Sequence, residues 1–260
     1  MKSKLHISAL QIPLFWEAPT ENRAYIDKHL QKIDPLTDFI LLPEMFTSGF
    51  TMNPKVVAES MKGPSVQWMQ SWASRLDAAI GGSLVIQEGA YFYNRFVVVT
   101  PSNEMIYYDK RHTFKLAGEH KAYRSGTNDG IFEYQGWKIC LRICYDLRFP
   151  VWSSNIKKYD LLLYVSNWPK PRIHAWDILL QARAIENLSY VVGVNRIGQD
   201  KKDHDYPGHT AIYDALGHCI SEKSTSELET LFTAELDYFE LQEHRKRFGF
   251  LEDLDNFDLY

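Results

Sequence analysis

Cysteine is scarce in this chain of 260 residues: only Cys140, Cys144 and Cys219 occur. Three thiols cannot all pair within one chain, and Cys140 and Cys144 are four residues apart, which is not a CxxC spacing. No His-rich or Cys-rich cluster offers a zinc site, so neither a metal nor a cofactor is expected. A reducing compartment, the cytoplasm, is the expected address. Long hydrophobic runs are absent as well, and no segment approaches the roughly twenty apolar residues of a membrane helix. The opening stretch "MKSKLHISALQIPLFW" has two lysines but no small-residue cleavage site, so it reads as a first strand and not as a signal peptide. Excess charge of one sign is missing too. Lys and Arg number 29 against 33 Asp and Glu, a net charge of -4, which gives no reason to expect nucleic acid or an anionic membrane as partner. Repeats, low-complexity tracts and Pro/Gly/Ser-rich linkers are lacking, and a single domain over 1–260 is expected.

What is present is apolar material at 45% of residues, in a chain long enough to bury about three quarters of its unfolded surface. Its periodicity alternates between two kinds. "LHISALQI" alternates like a strand. "TENRAYIDKHLQKI" places Ile26, Leu30 and Ile33 on one helical stripe. "DFILLPE" is a short apolar run suited to a buried strand. "PSVQWMQSWASRLDAAI" has Val66, Met69, Trp72 and Leu76 at helical spacing. "GGSLVIQEG", "NRFVVVTPSN", "MIYYDK", "WKICLRICYD", "YDLLLYVSNWP", "SYVVGVNRIG", "HTAIYDALGHCIS" and "LETLFTAELD" are strand-like. "RIHAWDILLQARAIENL" predicts a helix with Trp176, Leu179, Leu180, Ile185 and Leu188 on one side. "YFELQEHRKRF" predicts a late helix. Helices alternating with strands apolar on both faces predict an α/β fold with sheets covered by helices.

The chemistry concentrates where strands end. In "KICLRICYD", Ile139, Leu141 and Ile143 share one face, and Cys140, Arg142 and Cys144 share the other. Cys144 stands at the strand's carboxyl end, where α/β folds present reactive groups. A nearby lysine or helix start favours a thiolate there. Free cysteines more often simply pack, and that reading is given to Cys140 and Cys219. Glu44 closes a run too apolar for the surface, and buried glutamate is rare unless paired or functional. Lys110 closes "MIYYDK", and Glu119 lies in the loop "KLAGEH". A thiol attacking a carboxamide needs a base, a cation for the oxyanion and an acid for the departing ammonia. Cysteine, lysine and glutamate supply these groups.

The segments "LLPEMFTSGF", "YYDKRHTF" and "ICYDLRFP", in this order, resemble the nitrilase superfamily of carbon–nitrogen hydrolases across nearly the whole chain. "SNWPKPRIHAWDILLQARAIENLSYVVGVNRIG" resembles its omega-amidase branch. The resemblance implies a four-layer α-β-β-α sandwich carrying a Glu–Lys–Cys triad. In it Glu44 is the general base, Lys110 the oxyanion partner and Cys144 the nucleophile. Glu119 corresponds to an additional family glutamate that positions substrate or assists deacylation, and the Tyr145 N–H completes the oxyanion hole. Thr113 and Thr210 stand where relatives often carry an aliphatic residue and a serine.

The substrate implied is a small-molecule amide, the omega-amide of a short dicarboxylate such as 2-oxoglutaramate or 2-oxosuccinamate, cleaved through a thioester. Arg148 and Arg172 are candidates for its free carboxylate, with Asn167 and Trp168 as a wall. For Arg148 an internal ion pair with Asp146 competes evenly with that role. Alternatives are a nitrilase, an amidase for deaminated glutathione, a carbamoyl-amine hydrolase, or a non-catalytic interaction protein on the same scaffold. The resemblance also implies a homodimer, stacked through helices, with the helix at 172–188 and a tail from about 249 as the surfaces in question.

Overall fold

The computed structural model describes residues 1–221, 228–255 and 257. Its strands are Lys4–Gln11 (β1), Phe39–Leu41 (β2), Ala79–Glu88 (β3), Tyr91–Val99 (β4), Met105–Asp109 (β5), Ile131–Tyr134 (β6), Trp137–Ile143 (β7), Leu161–Ser166 (β8), Tyr190–Asn195 (β9), Ile197–Gln199 (β10), Asp205–Pro207 (β11), Ala211–Tyr213 (β12) and Thr230–Asp237 (β13). Its α-helices are Pro19–Leu30 (α1), Pro54–Val57 (α2), Pro64–Leu76 (α3), Glu119–Ala122 (α4), Ile173–Asn187 (α5) and Tyr238–Phe248 (α6).

Two sheets carry the fold. One has six strands in the order β13-β1-β2-β3-β4-β5, the other five in the order β12-β9-β8-β7-β6. Strands β1, β2 and β3 run parallel, as do β7, β8 and β9, and the flanking strands are antiparallel. One face of each sheet meets the other sheet. Leu5, Ile7, Phe39, Phe96 and Val98 from the first pack with Ile139, Leu141, Ile143, Leu163 and Val194 from the second. The outer face of the first sheet is covered by α1 and α3 through Ile26, Leu30, Val66, Met69 and Trp72. The outer face of the second is covered by α5 through Trp176, Leu180 and Ala184. Each central strand is therefore buried on both sides, which is why its sequence is apolar throughout. A fully buried Leu, Ile or Phe contributes about 1.5–3 kcal/mol, so these three layers of contact hold the four-layer α-β-β-α sandwich together.

Two details depart from the sequence reading. Ile185 is 46% exposed. It lies nine residues beyond Trp176, and at 100° per residue that places it on the opposite side of α5; the buried face is Trp176, Leu180, Arg183, Ala184 and Asn187. Cys219 does not pack but is exposed, and its Sγ donates to the Ser221 carbonyl. After β9 the chain forms the antiparallel β10–β11 hairpin. Of the tail from about 249, residues 256 and 258–260 lie outside the described residues. Leu251 packs on the inter-sheet core, whereas Phe250 and Phe257 are exposed. Among the described residues no helix is long and apolar enough to cross a membrane.

Candidate active site

Four strand ends converge at one edge of the sandwich. Glu44 follows β2, Lys110 follows β5, Cys144 follows β7 and Asn167 follows β8. The first two belong to one sheet and the last two to the other.

Glu44 is 0% and Lys110 1% exposed. Lys110 Nζ lies 2.9 Å from Glu44 Oε1 and 3.0 Å from Glu119 Oε2. The Phe50 ring lies 5.1 Å from the ammonium. Asn94 of β4 donates through Nδ2 to Glu44 Oε1 at 2.8 Å and to Glu119 Oε1 at 3.2 Å. Ser83 donates to Asn94 Oδ1, which fixes that amide. The other Glu44 oxygen accepts from the Asn167 N–H at 2.8 Å, and the Phe114 N–H donates to Glu119 Oε2 at 2.5 Å. Every carboxylate oxygen in the cluster therefore has a donor, as buried charge requires.

Electrostatics follow from two carboxylates and one ammonium sharing a water-poor site. Burial works to lower the Lys110 pKa, but Glu119 and Glu44 together hold it above its ordinary value. Burial raises Glu119, Lys110 opposes, and Glu44 pushes further up. Burial raises the Cys144 thiol well above its ordinary value; Glu44 adds to this, and Lys110 and the Ser166 hydroxyl pull the other way. Lys110 pulls the thiol toward ionisation, as expected, but burial and Glu44 outweigh it. The lysine's charge is shared with two acids, which limits its pull on the thiol.

Cys144 has also left the strand. Its φ is +44°, in the left-handed region, and Met45 after Glu44 stands at +46°. A residue with a Cβ adopts this only where its surroundings enforce it, and such strain clusters at functional sites. The enforcing contacts come from Asp146. It accepts from the Ile143 N–H at 3.0 Å, the Tyr108 hydroxyl at 2.8 Å, and the N–H and Nδ1 of His112 at 3.0 and 2.7 Å. Burial alone raises a carboxyl pKa, yet the His112 contacts hold Asp146 below its usual value. His112 is two residues past Lys110, so Asp146 ties the end of β5 to the turn that carries Cys144. Arg183 of α5 donates to the Leu147 carbonyl in the same turn at 2.6 Å.

Cys144 and Tyr145 line a cavity of about 320 Å³. Arg148, Asn167, Trp168 and Arg172 line it as well. Arg148 does not pair with Asp146, whose oxygens are taken by other donors. Its guanidinium lies over the Trp168 ring at 5.2 Å, and that of Arg172 lies over Phe114 at 5.1 Å. Neither arginine forms an ion pair among the described residues. The hairpin contributes Asp200, Lys202, His204 and Tyr206 to the mouth. Neither Thr113 nor Thr210 lines the cavity. Among the described residues no group of three His, Cys, Asp or Glu side chains is arranged to hold a metal.

Sequence reasoning missed Asn94, Asp146 as a clamp, and the hairpin. Asn94 had one signal: an amide within the run "YNRFVVV", whose neighbours point to a buried strand.

Known proteins resemble the chain over nearly its whole length. The family model described as carbon-nitrogen hydrolase matches residues 6–246. The chain is 44% identical to "Omega-amidase YafV" of Yersinia enterocolitica over 257 residues, 98% of each chain. It is 32% identical to "2-oxoglutaramate amidase" of Bacillus subtilis over 99% of this chain and all of that one. The crystal structure of XC1258 from Xanthomonas campestris, described as a CN-hydrolase superfamily protein with an arsenic adduct in the active site, superposes with a TM-score of 0.96 at 39% identity, each chain fully covered. Saccharomyces cerevisiae Nit3 shares the fold, with a TM-score of 0.82 at 20% identity over 95% of each chain. The fold and these matches show that the chain belongs to the carbon–nitrogen hydrolases of the nitrilase superfamily, in the omega-amidase branch.

Proposed function

We propose that the protein hydrolyses the omega-amide of short dicarboxylate or 2-oxo-dicarboxylate monoamides, such as 2-oxoglutaramate and 2-oxosuccinamate, to the acid and ammonia. One observation carries the reading: a cavity lined by a cysteine and by two arginines without acidic partners among the described residues, with a fully buried Glu–Lys–Glu cluster near enough to act on the cysteine thiol. Glu44 takes the Cys144 proton as sulfur bonds to the carboxamide carbon. Lys110 has three N–H donors. Two are held by Glu44 and Glu119, which leaves the third for the oxyanion. The Tyr145 N–H lies in the first turn of the 3-10 helix Cys144–Arg148, where N–H groups lack acceptors within the helix, and it supplies the second donor. Glu44 passes its proton to nitrogen, the C–N bond breaks and ammonia leaves a thioester. Water then gives a proton to Glu44 and attacks the thioester; the C–S bond breaks and the thiol is restored. Glu119 holds Lys110 in place. Arg148 and Arg172 bind the substrate's carboxylate, and Asn167 and Trp168 bound the pocket.

The same reading takes 1–260 as a single domain, working as a homodimer in the cytoplasm. Its three free cysteines fit a reducing compartment. The outer face of α5 exposes Ile178 at 51% and Ile185 at 46%, an apolar pair suited to a second copy; sedimentation of the intact chain measures this directly. The test of function is ammonia release from a panel of omega-amides, nitriles and carbamoyl amines. Oxo-acid amides are expected to react, with no turnover by Cys144→Ala and with KM raised by Arg172→Ala. Turnover retained in Cys144→Ala, or a preference for nitriles, would overturn it.

A further inference from the structure

A second cavity adjoins the catalytic one. It is an open groove of about 900 Å³, and Met52 and Ala117 line both. Its charge is of one sign. Lys55, His120, Lys121 and Arg124 line it, and no aspartate or glutamate does. All four side chains are exposed, and none forms an ion pair among the described residues. The fold sets them there. The single-turn helix α4 points Glu119 inward to Lys110. The next two residues, about 100° and 200° further round the axis, face away from it, which brings His120 and Lys121 to the surface. The Arg124 N–H donates to the Phe92 carbonyl at 2.8 Å, and its guanidinium lies over the Tyr91 ring at 4.3 Å. The Tyr123 hydroxyl donates to the Thr51 carbonyl at 2.7 Å, tying the end of α4 to the segment that carries Met52 and Lys55.

A groove of one sign beside a reaction site acts on charged ligands before they reach the catalytic groups. The chain as a whole carries a charge of -4, so its mean field repels an anion and the groove is a local exception. We propose that this groove is a capture site for the anionic substrate. It draws carboxylate-bearing amides from solution to the rim of the cavity that holds Cys144, and they pass inward over Met52 and Ala117. This rests on the reading of the substrate as the monoamide of a dicarboxylate. The groove recognises the free carboxylate, so a neutral amide of equal length gains nothing from it. Its four basic residues do not line the cavity of Cys144. They therefore act on the encounter and not on bond breaking, and their effect falls on KM while kcat stands. Exposed charges reach about 30 Å at 0.01 M salt and about 3 Å at 1 M, so the effect vanishes in high salt.

The test compares the wild type with the triple variant Lys55→Gln, Lys121→Gln, Arg124→Gln at low and at high salt. With succinamate, an anionic omega-amide, kcat/KM is expected to fall about 5-fold in the variant at low salt, through KM, and to match the wild type at high salt. No loss at low salt, or the same loss at both, overturns the inference. A second measurement needs no turnover. Cys144 is alkylated by iodoacetate, an anion, and by iodoacetamide, its neutral counterpart, and peptide mapping separates it from Cys140 and Cys219. At low salt the iodoacetate-to-iodoacetamide rate ratio is expected to fall about 5-fold in the variant. A merely structural disturbance slows both reagents together, and an unchanged ratio overturns the proposal. If the wild type releases no ammonia from any omega-amide, the amidase reading itself fails, while the alkylation ratio still decides whether the groove draws anions. Ammonia release with an unchanged ratio removes only the role of the groove.

Discussion

Replacing Lys110 by methionine keeps the length and apolar stem of the side chain and removes only the charge. Two carboxylates then share a buried site with no cation. Stripping one partner from a buried ion pair costs about 3–5 kcal/mol, because the charge left behind is uncompensated. The molecule's escape is to take up a proton. Glu119 is already pushed above 4.5 by burial and by Glu44, and Lys110 is the main influence pulling it back. Without the ammonium that carboxyl is driven further up. The folded-state value then exceeds the unfolded one, so the stability it contributes is present at low pH and lost as pH rises through the folded value. With one extra proton held, the slope is about 1.4 kcal/mol per pH unit. Between pH 5.5 and 7.5 the variant is expected to lose up to about 3 kcal/mol, the full effect of one extra proton held across that window. Urea denaturation at both pH values measures the difference, and ammonia release measures kcat, which should fall about 100-fold or more through loss of an oxyanion donor. A stability loss equal at both pH values would refute the account of the charge cluster, and a kcat near wild type would refute the oxyanion role.

The raised Cys144 pKa implies that alkylation of this thiol by iodoacetamide shows no inflection below pH 9, the ordinary thiol value; a reactive plateau near neutral pH would mean a preformed thiolate. Asp146→Asn is expected to lose about 3 kcal/mol, since an amide nitrogen would face donors that now meet a carboxylate oxygen. Thermal unfolding checks it, and a change under about 1 kcal/mol would show that the four contacts at Asp146 do not hold the Cys144 turn.

Much of the site was legible because its residues break local rules. Glu44 ends an apolar run, Lys110 and Cys144 end strands, and all three sit in segments resembling known motifs. The sandwich was legible because strands apolar on both faces need cover on both. What stayed hidden depends on contacts across the chain. Asn94 is an unremarkable strand residue until Glu44, 50 positions away, and Glu119, 25 positions away, are seen to share its amide. The positive φ of Cys144 is imposed by Asp146 and its donors from β5, with no glycine to announce it. The balance at the thiol was hidden as well, because a lysine's effect depends on what else that lysine serves. Ile185 was misplaced by an apolar count that ignored angular position on α5.

Glu44 and Lys110 ride on one sheet, Cys144 and Asn167 on the other. The bond-making geometry is thus a vernier, read across the seam where Phe39 and Phe96 mesh with Leu141 and Leu163. Trimming a side chain in that seam lets one slab slip against its neighbour, so turnover should suffer while the scaffold still stands. Distant interior substitutions, with no view of the cavity, become rate mutations, and any heat-hardened redesign must tighten the seam without shifting its alignment.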